Sequence, residues 1–278
     1  MRPPRAGCRL GRVSSDAFHA SDRPVRIAVQ IAPQHRTIAV HRDAAVHAEE
    51  LGVDMVLNWD HFFPLSGDPD GLHFEAWTQL AQWAEATERV ELGPLVNCNS
   101  YRNPNLQADM ARTIDHVSNG RFVFGTGSGW AQRDYDEYGY PFGTVGSRLD
   151  DLARDLPVIR DRWTRLNPPP VRRIPILIGG AGERKTLRIV AEHADVWHSF
   201  VAPEALPHKL DVLQRHAEEV GRDVAGIEIG NELRDRDEDA AQALFDQGVR
   251  LFTIGLPEPE IDWAPVQRWL AWRDARNA

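Results

Sequence analysis

Lysine is almost missing from this chain: only Lys185 and Lys209 occur, and arginine carries the remaining positive charge. Acidic side chains outnumber basic ones 41 to 32, for a formal net charge of −9. A surface of that sign does not attract a phosphate backbone or an anionic bilayer, so neither nucleic acid nor a membrane is expected as a partner. Long hydrophobic runs are missing too, and none nears the roughly 18 residues that cross a bilayer. There are two cysteines, Cys8 and Cys98. One lies in a tail and the other at a strand end, which excludes a disulfide framework and fits a reducing compartment, the cytoplasm. Metal-ligand spacing is also lacking. The 11 histidines include no HExxH and no HxH on the first strand, and His41 and His47 share a helix without a third ligand. No metal is expected.

What is present is a 278-residue chain, 42% hydrophobic and 26% charged, the profile of a folded globular protein. Residues 1–24 carry Arg2, Arg5, Arg9, Arg12 and Arg23 with Pro, Gly and Ser and no apolar period. They read as disordered, or as a misassigned extension upstream of a start at Val25. From there, short β-type runs alternate with helical patterns eight times. The expected strands are Arg26–Ile31, Asp54–Asn58, Val90–Asn97, Phe122–Thr126, Ile174–Ile178, Val196–Phe200, Ile227–Gly230 and Leu251–Gly255. Helical spacing joins Ala44, Ala45, Ala48 and Leu51, and again Trp77, Leu80, Ala81 and Ala84, while Gly52 and Gly248 stand where helix caps belong. Eight equal units over residues 25–278 predict a single α/β domain, a (β/α)8 TIM barrel, over a doubly wound sheet. The proline-rich stretch Asn167–Arg173 only delivers the chain into the fifth strand.

In such a barrel the chemistry sits at the carboxyl ends of the strands. The second strand closes on Asp60 and His61, a carboxylate and an imidazole suited to proton transfer. They could equally be structural, Asp60 capping the loop and His61 packing on Phe62. After the third strand, Val96, Asn97, Cys98, Asn99 and Ser100 make either a seat for a flat ring or an ordinary polar turn. The fourth gives Gly127, Ser128 and Gly129, where backbone could approach a ligand, although no dinucleotide fingerprint follows. The fifth ends in Gly179, Gly180, Ala181, Gly182, Glu183 and Arg184 before a helix. Free backbone N–H groups there, with Arg184 or Lys185, favour anion binding over a plain tight turn. Trp197, His198 and Phe200 could wall a pocket or belong to the core. Trp263, Trp269 and Trp272 fall at helical spacing and read as packing residues.

Taken together, WDHFF at Trp59–Phe63, LVNCNSYRNP at Leu95–Pro104, GTGSGW at Gly125–Trp130, DYDEYGY at Asp134–Tyr140 and ILIGGAGERKTLRIVAEHAD at Ile176–Asp195 resemble the bacterial luciferase-like family, within it the members that use coenzyme F420. The resemblance runs collinearly from about Arg26 to Phe200 and weakens over the last third of the chain. It implies a barrel that holds the 8-hydroxy-5-deazaflavin ring of F420 edge-on to a substrate cavity. It also implies a nonprolyl cis peptide at Val96–Asn97 against the back of the ring, and phosphate contacts at Ser128 and Gly129 and along Gly179, Gly180, Ala181, Gly182 and Arg184. His61 becomes the proton-transfer residue, with Asp60 orienting its imidazole. Related sequences commonly carry Thr where Asn97 stands and Gly where Ala181 stands.

The activity so implied is hydride transfer between F420 and a small organic substrate, in an enzyme that could assemble as a homodimer, as family members often do. Three alternatives remain open. An FMN-dependent monooxygenase would use the same barrel, a noncatalytic coenzyme-binding barrel would lack turnover, and a metal-dependent barrel hydrolase would need ligands whose spacing is not found.

Overall fold

The computed structural model of the chain describes residues 23–233, 237–256 and 260–278. Most of the stretch expected to be disordered or misassigned, residues 1–22 with Cys8, lies outside the described residues. Arg23 does not: its guanidinium donates to the carbonyls of Ala225 (3.2 Å) and Gly226 (3.0 Å).

The strands are β1 (Arg26–Gln30), β2 (Met55–Asn58), β3 (Glu91–Pro94), β4 (Asn97–Cys98), β5 (Phe124–Gly127), β6 (Ile176–Gly179), β7 (Val196–Ser199), β8 (Glu228–Glu232) and β9 (Val249–Gly255). Between and after them run α1 (Ile38–Leu51), α2 (Ala76–Ala86), α3 (Pro104–Val117), α4 (Gln132–Tyr138), α5 (Val145–Arg165), α6 (Thr186–His193), α7 (Leu206–Glu219), α8 (Glu238–Asp246) and α9 (Ala264–Asn277). Every strand pairing is parallel, in the order β3-β2-β1-β9-β8-β7-β6-β5-β4. The two ends meet where Val123 N donates to Leu92 O (2.9 Å) and Leu92 N to Arg121 O (3.2 Å). The sheet thus curls into the expected α/β barrel.

The expected third strand, Val90–Asn97, is split. A cis peptide joins Leu95 to Val96, one residue before the expected Val96–Asn97, and separates β3 from β4. One continuous apolar run therefore supplies two short ladders: β3 on β2, and β4 on β5.

Alternation along the strands sorts the side chains into two layers. Ala28, Met55, Leu57, Leu95, Val123, Leu177, Val196 and Leu251 fill the interior. Ile27, Val29, Val56, Phe124, Ile178, Trp197 and Phe252 face outward and pack against the helices. At the amino-terminal end, Arg26 plugs the barrel by pairing with Glu228 and Glu91, each at 2.6 Å. Thr37 caps α1, Glu75 caps α2 and Thr144 with Ser147 forms a capping box on α5, while Gly52 closes α1 at φ 88° as its spacing predicts. Trp269 and Trp272 are buried packing residues on α9.

The closure depends on glycine. A Cβ on Gly125 would stand 1.8 Å from the Pro94 carbonyl oxygen, and one on Gly93 2.2 Å from that of Val123. Backbone atoms in a closed ring cannot give way locally. Gly125→Ala is therefore expected to cost about 3 kcal/mol or more. A thermal melt should show Tm lowered by roughly 6–12 °C, and an unchanged Tm would contradict the closure described here.

Candidate functional site

A cavity of about 480 Å³ opens at the carboxyl end of the barrel, where the loops after the strands converge. One wall is cleared by glycine. Val96 leans inward over Gly127 and Gly179, and a Cβ at those positions would meet its methyl groups at 2.8 and 3.0 Å. Leu95, Ser128, Gly129 and Gly180 continue that face. Gln30, Trp59, His61, Leu65, Trp130, His198, Phe200 and Glu232 also line it.

His61 is buried at the cavity edge, and its Nδ1 lies 2.6 Å from Asp134 Oδ2. The same carboxylate accepts from Tyr101 Oη (2.9 Å) and from the backbone N–H of Phe62 (3.0 Å). Burial alone pushes the Asp134 carboxyl upward, but these hydrogen bonds and the facing His61 outweigh it and hold the group below the ordinary aspartate value. An ionised Asp134 accepts a hydrogen bond from Nδ1–H, so Nε2 is the nitrogen left for the cavity. The imidazole does not pack on Phe62. Its ring instead meets Trp130 edge-on at 5.5 Å and Trp59 at 6.5 Å.

The expectation that Asp60 orients His61 is overturned. Asp60 also lines the cavity, but its carboxylate is buried and engaged elsewhere: Arg102 grips both its oxygens (2.6 and 3.0 Å) and Cys98 N–H donates at 3.0 Å. Arg102 also reaches Glu75 at 2.7 Å. With its oxygens taken up there, Asp60 leaves the imidazole to Asp134. Burial lifts the Asp60 carboxyl above the ordinary range, with Arg102 opposing that lift.

Several other expected residues reach the cavity by routes the sequence did not specify. The Asn97 side chain turns away into the layer beneath the helices, accepting from Trp77 Nε1 (3.0 Å) and donating to Gln107 Oε1 (2.8 Å). The Cys98 thiol sits 3.2 Å from the Tyr135 hydroxyl, and burial pushes it up to about 11, which keeps it protonated and unreactive. Ser128 and Gly129 do line the cavity. Gly129, at φ 76°, has no room for a side chain, since a Cβ would lie 2.2 Å from Tyr135 Oη and 2.5 Å from Cys98 Sγ. Gly179 and Gly180 line it as well, whereas Ala181, Gly182 and Arg184 are not among the lining residues. In the same stretch Glu183 is held by Lys209 (2.6 Å) and His208 (3.2 Å), and Lys185 by Asp150 and the Gly146 carbonyl.

In β7 and just after it, His198 and Phe200 line the cavity, while Trp197 is core and donates its indole N–H to Gly180 O at 2.7 Å. Burial drives His198 down to about 3, so it is neutral. Asp134, Tyr101, Arg102, Gln30 and Glu232 escaped the sequence reading. Asp134 lay inside the motif DYDEYGY, and Tyr101 and Arg102 inside LVNCNSYRNP, but none of the three was assigned a role. Among the described residues no three His, Cys, Asp or Glu side chains converge as a metal site, and no helix is long and apolar enough to cross a membrane.

A parallel α/β barrel with a glycine-cleared cavity and a carboxylate-held histidine at its carboxyl end defines a class of barrel enzymes. The family model for luciferase-like monooxygenases matches residues 24–271, and the chain belongs to that family. Its relatives include pyrimidine monooxygenase RutA of Rhizobium rhizogenes, 25% identical over 85% of this chain and 70% of that protein. Similar solved structures include an F420-dependent secondary alcohol dehydrogenase with an F420–acetone adduct, with TM-score 0.78 and 17% identity over 87% of this chain and 96% of the other. Another is the FMN-bound oxygenating component of 3,6-diketocamphane monooxygenase from Pseudomonas putida, with TM-score 0.60 and 16% identity over 75% of this chain and 67% of the other.

Proposed function

We propose that the cavity holds the ring of coenzyme F420 and that the chain transfers a hydride between it and a small organic substrate, His61 carrying the accompanying proton. The observation that carries this reading is the pairing of a wall stripped of side chains with a histidine held by Asp134 on the cavity edge. A flat heterocycle would rest against Val96, whose methyl groups occupy the space that side chains at Gly127 and Gly179 would need. The rim from Gly179 through Gly180, Ala181, Gly182 and Arg184, with Ser128 and Gly129, would take the coenzyme's phosphate through backbone N–H groups. When bound, the coenzyme supplies the hydride-exchanging ring carbon.

The chain's own residues do the rest. Asp134 keeps the proton on Nδ1 of His61, so Nε2 gives or takes a proton at the substrate. Leu95 and Val96 shut water from one side and Trp59, Trp130 and Phe200 from the mouth, which lowers the local dielectric and fixes donor against acceptor. Similarity to an F420-dependent dehydrogenase barrel favours this reading.

A second reading, an FMN-dependent monooxygenase, is favoured by the pyrimidine monooxygenase relatives. Fluorescence titration with each coenzyme decides between them. The expected result is saturable F420 binding, with a Kd at least about tenfold below that for FMN. Tight FMN binding with no F420 binding, together with oxygen uptake, would establish the alternative.

A further inference from the structure

We infer that the amino-terminal end of the barrel carries a second binding site, for a small organic phosphate with a flat apolar body. It lies at the opposite end from the cavity described above and does not rest on the reading of that cavity. A pocket of about 480 Å³ opens there between the carboxyl-terminal half of α5 and the segment that leads into β6. In sequence that proline-rich segment only delivers the chain into a strand. In the fold its Arg172 and Arg173 line the pocket together with Arg160 of α5, beside the apolar surfaces of Trp163, Pro170 and Val171. Among the described residues no Asp or Glu lines it.

Positive charge here exceeds what the neighbouring acids offset. Arg172 Nη2 meets Glu91 Oε1 at 2.8 Å, but Glu91 also serves Arg26, and Arg172 Nε is buried with no partner among the described residues. Arg173 meets Asp195 at 2.7 Å, and the same carboxylate serves Arg222 at 4.0 Å and the Ile176 N–H at 2.9 Å. Arg160 pairs with no carboxylate among the described residues, and only its Nη2 is engaged, by the His193 carbonyl. Arg160, Arg173 and Arg222 therefore share the one charge of Asp195. Burial first, then crowding by Arg173 and Arg222, holds Arg160 below the ordinary arginine value although Asp195 opposes both. Asp115 approaches the same segment, but its Oδ2 accepts from the backbone N–H groups of Val171 (2.8 Å) and Arg172 (3.4 Å).

A phosphate monoester brings close to two negative charges and three acceptor oxygens, which answers this surplus, whereas a carboxylate brings one charge and two oxygens. The net charge of −9 does not oppose it, because exposed charges more than about 10 Å away are screened. Trp163 gives its indole N–H to Ala108 O at 3.0 Å, so the ring offers a ligand only carbon. A flat apolar group against Trp163, Pro170 and Val171 gains burial that a bare phosphate ion lacks. Fastening the loop to the barrel accounts for Arg172 and Arg173, whose carboxylates stand at strand starts, and leaves Arg160 unexplained.

Three probes test this on the full chain by calorimetry at neutral pH and low salt: phenyl phosphate, inorganic phosphate and benzoate. Phenyl phosphate is expected to bind saturably, at least about fivefold more tightly than either of the others. Arg160→Gln should weaken it by at least about fivefold, and so should Val171→Asp, which sets a negative charge on the pocket wall without touching an arginine. Each variant is checked for an unchanged Tm. Should Arg160→Gln lower the Tm, Arg173→Gln replaces it, since that side chain is 71% exposed. Absence of saturable phenyl phosphate binding, or equal binding of benzoate or inorganic phosphate, overturns the inference. Binding that the variants leave unchanged, or that F420 or FMN displaces, places the anion at the other end of the barrel and overturns it as well.

Discussion

His61→Ala is expected to reduce turnover by about 10²–10⁴-fold, the usual contribution of a positioned acid or base, while the coenzyme Kd shifts by less than about threefold. The separation arises because the imidazole stands at the cavity edge beside Trp59 and Trp130, whereas the proposed ring seat is made by Val96 and glycine backbone. Equal loss of turnover and affinity would assign His61 to binding instead. Asp134→Asn tests the same unit from behind. It keeps the shape of the group but no longer fixes the proton on Nδ1, so turnover should fall by roughly 10²-fold or more. Asp60→Asn should leave the pH profile of turnover in place, because Asp60 faces Arg102 and not the imidazole.

Asp134 has a further signature in acid. Its carboxyl is held below the ordinary aspartate value, so its stabilising contribution is fully present above the unfolded pKa and is lost as pH falls through the folded one. Below about pH 4, urea midpoints of the unaltered chain should therefore fall faster than those of Asp134→Asn.

How far the sequence reaches is clear from particular residues. The eight βα units were legible because parallel strands buried on both faces read as short apolar runs, and Gly52 marked a helix end. The break at Leu95–Val96 was not. An apolar run from Leu92 to Val96 reads the same whether or not the ladder is interrupted, and a shift of one residue in the cis bond leaves no mark on composition. Gly93 and Gly125 were legible only as glycines, since their role depends on carbonyls about 30 residues away in the chain.

The site divides in the same way. His61, Val96, Gly129 and Gly179 could be placed because each follows a strand and the strand ends share one rim. Asp134 could not be assigned to His61, because 73 residues separate them and only the placement of α4 after β5 brings them together. The adjacent Asp60 was the natural partner in a linear reading, but its oxygens are held by Arg102 and the Cys98 N–H. Gln30 and Glu232 also line the cavity but belong to no motif, and Glu232 lies where the family resemblance fades.

Arg102→Met is expected to destabilise the fold by about 3–5 kcal/mol, the cost of leaving one partner of a buried ion pair alone. Asp60 is fully buried, and Arg102 supplies two of the hydrogen bonds that keep it ionised, with Cys98 N–H the third. With the guanidinium gone, desolvation dominates and lifts the carboxyl further above the ordinary aspartate range. A group raised on folding leaves stability intact below its unfolded pKa and removes it as pH rises through the folded value. The urea midpoint of Arg102→Met should therefore decline from pH 5 to pH 8 more steeply than that of the unaltered chain. Adding Asp60→Asn removes the stranded charge while an amide oxygen still meets the Cys98 N–H. The double variant should thus recover much of the loss and flatten the pH dependence, a coupling that a double-mutant cycle measures directly. A double variant no more stable than Arg102→Met would mean that Arg102 acts mainly through Glu75 and the face of Trp77, 5.7 Å away, and not through Asp60.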